Sequence, residues 1–182
     1  IPSQEVPLIQ KKLVHLSKKA RIPVIIATQM MESMIENLQP TRAEVNDVAN
    51  SVMDGADAVM LSAETSIGKH PSAVVAQIAK IINSVEYSDQ IVVPAEPPTI
   101  KTDRYITKFI CFHAAKTANE INASSITTMT NSGYTGFQLS SWRPHCNILV
   151  FTSNKRILCR LSLLWGVKSF YYNKQVSTDK SI

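Results

Sequence analysis

The sequence predicts an α/β fold with parallel strands, arranged as two consecutive units, and three observations carry that prediction. Short, β-branched apolar runs alternate with longer segments of helical periodicity. The stretch 89–103, with Pro94, Pro97 and Pro98, interrupts the alternation, which then restarts. The 182 residues suit one domain or parts of two, and an apolar content of 45% suffices for a packed core.

The first helix is expected over Gln4–Ala20, with Ser3 as N-cap and Pro7 tolerated near its start. Ile9, Leu13, Leu16 and Ala20 recur at helical spacing and predict its inner face. Ile22–Thr28 and Asp57–Ser62 are continuously apolar and read as neighbouring parallel strands buried on both faces. Between them, Arg42–Asp54 is a helix. Thr41 and Glu44 have capping-box spacing, Gly55 is placed to end it, and Val45, Val48, Ala49 and Val52 line it. Pro71 opens a further helix to about Tyr87, with Val74, Val75, Ile78, Ile81, Ile82 and Val85 on its face.

After the linker, Arg104–Ile121 is a helix with Ile106, Ile110, His113, Thr117 and Ile121 on one stripe. Ser125–Thr130 is a strand, and Gly133–Gly136 turns into a short helix ending before Pro144. Asn147–Thr152 is a strand. Asn154 caps a helix to Leu164, Gly166 stops it, and Val167–Tyr172 is the last strand. Right-handed crossovers make these three strands a small parallel sheet. The expected organisation is therefore 1–88, a linker over 89–103, and 104–182.

Charge excludes some functions. The net charge of +5 is scattered, and the pairs Lys11-Lys12 and Lys18-Lys19 suit a solvated helix face rather than a nucleic-acid surface. No apolar run approaches the ~18–20 residues a membrane helix needs. Cys111, Cys146 and Cys159 have neither zinc-site nor disulfide-framework spacing, which points to a reducing, cytoplasmic setting. The start at Ile1-Pro2-Ser3, without Met or an apolar leader, is read as that of a fragment.

In parallel α/β folds ligands gather beyond the carboxyl ends of the strands. Those ends hold Thr28 after the first strand and Ser62-Ala63-Glu64 after the second. A hydroxyl and a carboxylate at one rim can order water and move protons, although an isolated hydroxyl there also serves simply to cap the next helix. In the second unit, Thr130, Asn131, Ser132, Gly133 and Thr135 surround a helix start, where free backbone N–H groups attract anions. The same stretch also reads as an ordinary strand–helix turn. His15 and His113 read as packing or partly exposed residues, His70 as a possible cap, and Met30, Met31 and Met34 as core. No set of residues has metal-ligand spacing, and no Walker loop, dinucleotide fingerprint or Ser-His-Asp arrangement occurs.

Ala27-Thr28-Gln29-Met30-Met31-Glu32-Ser33-Met34 resembles the pyruvate kinase signature at the seventh barrel strand. Pro40–Glu44, Asp47–Asn50, Asp54–Asp57 and Met60–Thr65 follow in the order of that family, with Ala63 where it usually has Gly. Ser140–Pro144 and Leu163–Val167 resemble its C-terminal domain. The resemblance implies the C-terminal part of a (β/α)8 barrel followed by a small α/β domain with a mainly parallel sheet. It implies glycolytic phosphoryl transfer from phosphoenolpyruvate to ADP, giving pyruvate and ATP, in a homotetramer. It also implies Mg2+ and K+, with ligands upstream of Ile1, so the isolated chain is expected to be inactive. By position, Thr28 would contact substrate, and Ser62 and Glu64 would join the network that protonates the enolate. Arg42 would lie at a subunit interface, and Thr130–Thr135 would hold a sugar-phosphate effector. Tyr134 stands where the family often has Arg, which removes one phosphate donor. The alternative reading is a regulatory module that binds a phosphorylated metabolite at Thr130–Thr135.

Overall fold

The computed structural model describes residues 2–27, 29–88, 97–98 and 104–173. Two compact units divide the chain, 1–92 and 93–182. Apart from Pro97 and Pro98, the predicted linker 89–103 lies outside the described residues.

In the first unit a 3-10 turn, Ser3–Glu5, leads into α1, Val6–Ala20. Ser3 is not the cap: Glu5 holds that position without a side-chain bond, and Pro7 falls in the first turn. The predicted inner face of α1 is wrong by part of a turn. Val14 is buried, whereas Leu13 is 58% exposed and Leu16 is also exposed. Two lysines set the rotation. Lys11 Nζ meets the Asp54 carboxylate at 2.6 Å, and Lys18 Nζ donates to the Asp54 carbonyl at 3.3 Å. Both cations sit at the C-terminal end of α2, Arg42–Asp54, where the helix dipole favours positive charge. Residues 11, 14 and 18 share one helix face, so holding the lysines there turns Val14 inward.

β1 (Ile25–Ala27) pairs in parallel with β2 (Ala58–Met60), Ile26 opposite Val59. Val24 and Asp57 lock the register, with the Asp57 amide donating to the Val24 carbonyl at 2.8 Å and the Val24 amide to Asp57 Oδ2 at 2.9 Å. The strands are shorter than expected and are not buried on both faces: Ile25 and Met60 are exposed. Among the described residues this sheet has only two strands, too few to cover either one fully. α2 follows its sequence signals: Thr41 and Glu44 form the complete capping box, and Gly55 ends the helix at φ 99°. A 3-10 turn at Glu32–Ile35 and the one-turn α3, Ala63–Ser66, are too short to show a period and were not expected. α4 spans Pro71–Glu86. It buries Val74, Ile78, Ile81 and Val85 and turns Val75 outward; His70 stands at the N-cap without a side-chain bond. Met30, Met31 and Met34 are core, as predicted, packed with Val48, Val74, Ile78 and Ile81.

The second unit runs α5 (Tyr105–Glu120), β3 (Ser125–Met129), α6 (Tyr134–Ser141), β4 (Asn147–Thr152), α7 (Lys155–Leu161) and β5 (Val167–Tyr171). Its three strands are parallel, as expected, and stand in the order β3-β4-β5. The predicted stripe on α5 faces outward: Ile106 is 74% exposed, and Ile110, His113, Thr117 and Ile121 are exposed as well. Cys111, Phe112, Ala115 and Ala118 face the core instead. Phe112 stacks edge-on against Trp142 with ring centroids 4.9 Å apart, while the two alanines allow close approach. α7 ends at Leu161, earlier than predicted, and Gly166 (φ 68°) lies in the turn before β5. Asn154 caps α7 through its Oδ1, which accepts from the Arg156 amide. All three cysteines are unpaired, and burial pushes the Cys111 thiol up to about 11.

Candidate functional site

Parallel pairing of β1 with β2 brings both strand ends out at one edge. Thr28, at the end of β1, lies outside the described residues. At the end of β2, Ser62 is exposed and caps α3 by position. Glu64 lies in the first turn of α3 and is only 3% exposed. One of its oxygens, Oε2, accepts from the Ser62 amide at 2.7 Å, and Oε1 accepts from the Met31 amide at 3.3 Å. Glu64 therefore ties the segment after β1 to the segment after β2. Burial pushes its carboxyl upward. Hydrogen bonds from its own amide and those of Ser62 and Met31 outweigh that, while the charge of Glu44 pushes back, and the net pKa lies below the ordinary value. The group is therefore a carboxylate at neutral pH.

Glu44 is a second buried carboxylate behind this edge. It accepts from the Ser33 amide (2.7 Å) and hydroxyl (2.5 Å), and from the Thr41 amide (2.7 Å) and hydroxyl (2.9 Å). Burial raises its pKa, but these four bonds, led by the Ser33 hydroxyl, bring it below the ordinary value. The capping box with Thr41 was readable; the bonds to Ser33 were not, because nothing local links residues 11 apart in sequence. Arg42, beside it, is exposed in the first turn of α2.

Both shifts point the same way, which sets a pH dependence. A carboxyl whose folded pKa is depressed adds stability that is present above its unfolded pKa, about 4.3 for Glu, and is lost as pH falls through the folded value. The first unit should therefore lose stability as pH falls below about 4. The second unit carries only Glu96, Asp103, Glu120 and Asp179 as acids, and should resist longer. Hydrogen exchange across an acid titration checks this. Equal acid sensitivity of the two units would contradict it.

In the second unit, Thr130 Oγ1 accepts from the Gly133 amide at 3.0 Å, and Ser132 Oγ accepts from the Tyr134 amide at 3.4 Å. Two of the amides expected to be free for an anion thus serve the loop itself. Asn131 offers its carbonyl to Asn154 Nδ2, and Gly133 adopts φ 79° at the N-cap of α6, with Thr135 in its first turn. The Arg104 guanidinium lies 4.5 Å from the Tyr134 ring centroid, so a cation stands beside the loop. This unit holds 11 Lys and Arg against four Asp and Glu.

Among the described residues no three His, Cys, Asp or Glu side chains converge to hold a metal ion. Nor, among the described residues, is any helix long and apolar enough to cross a membrane.

Comparison with known proteins relates the chain to one family. The family model for the pyruvate kinase barrel domain matches residues 1–75, and that for the pyruvate kinase alpha/beta domain matches residues 108–182. A pyruvate kinase of Corynebacterium efficiens is 41% identical over 179 residues, covering 98% of this chain and 37% of that protein. Pyruvate kinase 2 of Synechocystis is 42% identical over 181 residues, covering 100% of this chain and 30% of that protein. The crystal structure of a pyruvate kinase from Cryptosporidium parvum superimposes with a TM-score of 0.88 at 31% identity, covering 99% of this chain and 37% of that one. The chain thus spans 30–37% of the length of these relatives.

Proposed function

The chain belongs to the pyruvate kinase family, and from that premise we propose that it contributes the Ser62–Glu64 rim to transfer of a phosphoryl group from phosphoenolpyruvate to ADP. The P–O bond to the enol oxygen breaks, a bond to the terminal phosphate oxygen of ADP forms, and the enolate left behind takes a proton at its methylene carbon to become pyruvate. The observation that carries the reading is the buried, charged Glu64 beside the exposed Ser62 at the shared carboxyl edge of two parallel strands. Glu64 keeps its charge where it can orient the Ser62 hydroxyl or a water toward the enolate carbon. Thr28 takes the substrate-contacting role. The Mg2+ and K+ that the family reading calls for would neutralise phosphoryl charge in this chemistry. Arg42, exposed on α2, suits an interface between copies in a homo-oligomer, and the unpaired thiols suit a cytoplasmic enzyme.

With no metal donor set among its described residues, the 182-residue chain alone should form no pyruvate in a lactate-dehydrogenase-coupled assay. Replacing the matching segment of the Corynebacterium efficiens enzyme with this chain should give an active chimera. A folded but inactive chimera, or kinase-like turnover of about 1–100 s⁻¹ by the chain alone, would overturn the proposal.

A second reading is favoured by the basic excess of the second unit and by Arg104 beside the Thr130–Thr135 loop. In it, this unit binds a phosphorylated metabolite as a regulatory module. Calorimetry of the folded chain with a panel of sugar phosphates tests it, and flat titrations throughout would remove it.

A further inference from the structure

We propose that Glu44 is a positioning residue: it holds the turn after β1 in the place against which the Glu64 carboxylate is set. A capping box asks little of its Glu, one bond to the N-cap amide. Glu44 does more, taking both the amide and the hydroxyl of Ser33 as well as those of Thr41. Ser33 lies in the 3-10 turn Glu32–Ile35, two residues beyond Met31, whose amide donates to Glu64. The same turn is held at its far end, where the Ile35 carbonyl accepts from the Lys69 amide at 2.9 Å.

Three separate elements thus fasten one short turn: α2 through Glu44, α3 through Glu64, and the loop before α4 through Lys69. Met31 is the N-cap of this turn, buried in the core, and only Glu32 separates it from Ser33. Moving Ser33 therefore moves the Met31 amide and alters one of the bonds that orient Glu64. Glu44 also acts by charge, since it opposes the ionisation of Glu64. Of the other charged groups on the 3-10 turn, α2, α3 and the loop before α4, Glu32, Glu36, Arg42, Asp47 and Lys69 are exposed, Glu36 pairs with Lys69, and the half-buried Asp54 at the far end of α2 pairs with Lys11.

The functional meaning of this device rests on reading Glu64 as the proton-orienting carboxylate; the linkage itself does not. The test is NMR of the 15N-labelled full chain as wild type, Glu44→Gln and Ser33→Ala. In Glu44→Gln the Ser33 amide should exchange about tenfold faster as its hydrogen bond weakens. The Met31 and Ser62 amides, which report on Glu64, should titrate at lower pH because the opposing charge is gone. Ser33→Ala keeps that charge, so it should displace the Met31 resonance at neutral pH through geometry alone. Unchanged Met31 and Ser62 resonances and titration in a folded Glu44→Gln chain would overturn the proposal. If Glu44→Gln does not fold, an unmoved Met31 resonance in Ser33→Ala overturns it instead. An inactive chimera would sink the kinase reading and leave this linkage standing, so the two failures are distinct.

Discussion

Glu64→Gln in the active chimera is expected to lower kcat, by no more than the about 10²–10⁴-fold that loss of the proton-transfer group itself costs, with a smaller change in KM for phosphoenolpyruvate. Gln has the same shape, so the core around α3 persists, but two features are lost. The negative charge that orients a hydroxyl or water toward the enolate carbon disappears. An amide now bonded to the carboxylate, such as that of Ser62 or Met31, also meets an NH2 group in place of an oxygen. The pH profile provides a second readout. The folded pKa of Glu64 lies below the ordinary carboxylate value, so its ionisation limb falls on the acid side, with activity rising as the group loses its proton. In the variant that limb should vanish. Unchanged kcat in a folded Glu64→Gln chimera would remove Glu64 from the reaction. Ser62→Ala tests the same network from the exposed side.

Leu161→Ala is expected to destabilise the second unit by about 2–5 kcal/mol, a large share of the 5–15 kcal/mol typical of a whole domain. Leu161 is fully buried at the end of α7, within the core that also holds Phe112, Trp142, Ile148 and Val150. It seats against Gly136, where an added Cβ would come within 2.9 Å of Leu161 Cδ2 and 3.3 Å of Val150 Cγ2. Removing the Leu side chain leaves a cavity between α6, α7 and β4 that a rigid sheet cannot close. At about 4–8 °C per kcal/mol for a unit of this size, Tm should fall by about 8–40 °C. Both tryptophans, Trp142 and Trp165, belong to this unit, so their fluorescence follows it alone. Leu161→Met should cost less than about 1.5 kcal/mol. A Tm in Leu161→Ala within a few degrees of wild type would show that this core is looser than its geometry implies.

Signals confined to a few neighbouring residues were the ones the sequence made legible. Thr41, Glu44 and Gly55 bounded α2 correctly, Asn154 capped α7, and Asn147–Thr152 is β4 to the residue. The parallel pairing of β1 with β2 and the parallel sheet of β3, β4 and β5 also followed, since short apolar strands separated by helices leave few other connections. The predicted faces of α1 and α5 failed. Each helix offers more than one apolar stripe, and periodicity cannot say which is used. On α1 the choice fell to Lys11 and Lys18 meeting Asp54, and on α5 to Phe112 meeting Trp142.

The candidate rim divides in the same way. Ser62 and Glu64 stood out because they end a strand, and the residues around them carry the family's motif. That Glu64 is buried and charged, held by Met31 from another strand end, and that Glu44 reaches Ser33, required coordinates. By itself, then, the sequence determined the α/β class, most element boundaries and the family, because caps, glycines and strand-forming runs act over a few residues. Tertiary structure alone decided which helix faces are buried and how the two carboxylates share one turn. Those outcomes depend on hydrogen bonds and packing between residues far apart in the chain, for which local sequence holds no signal.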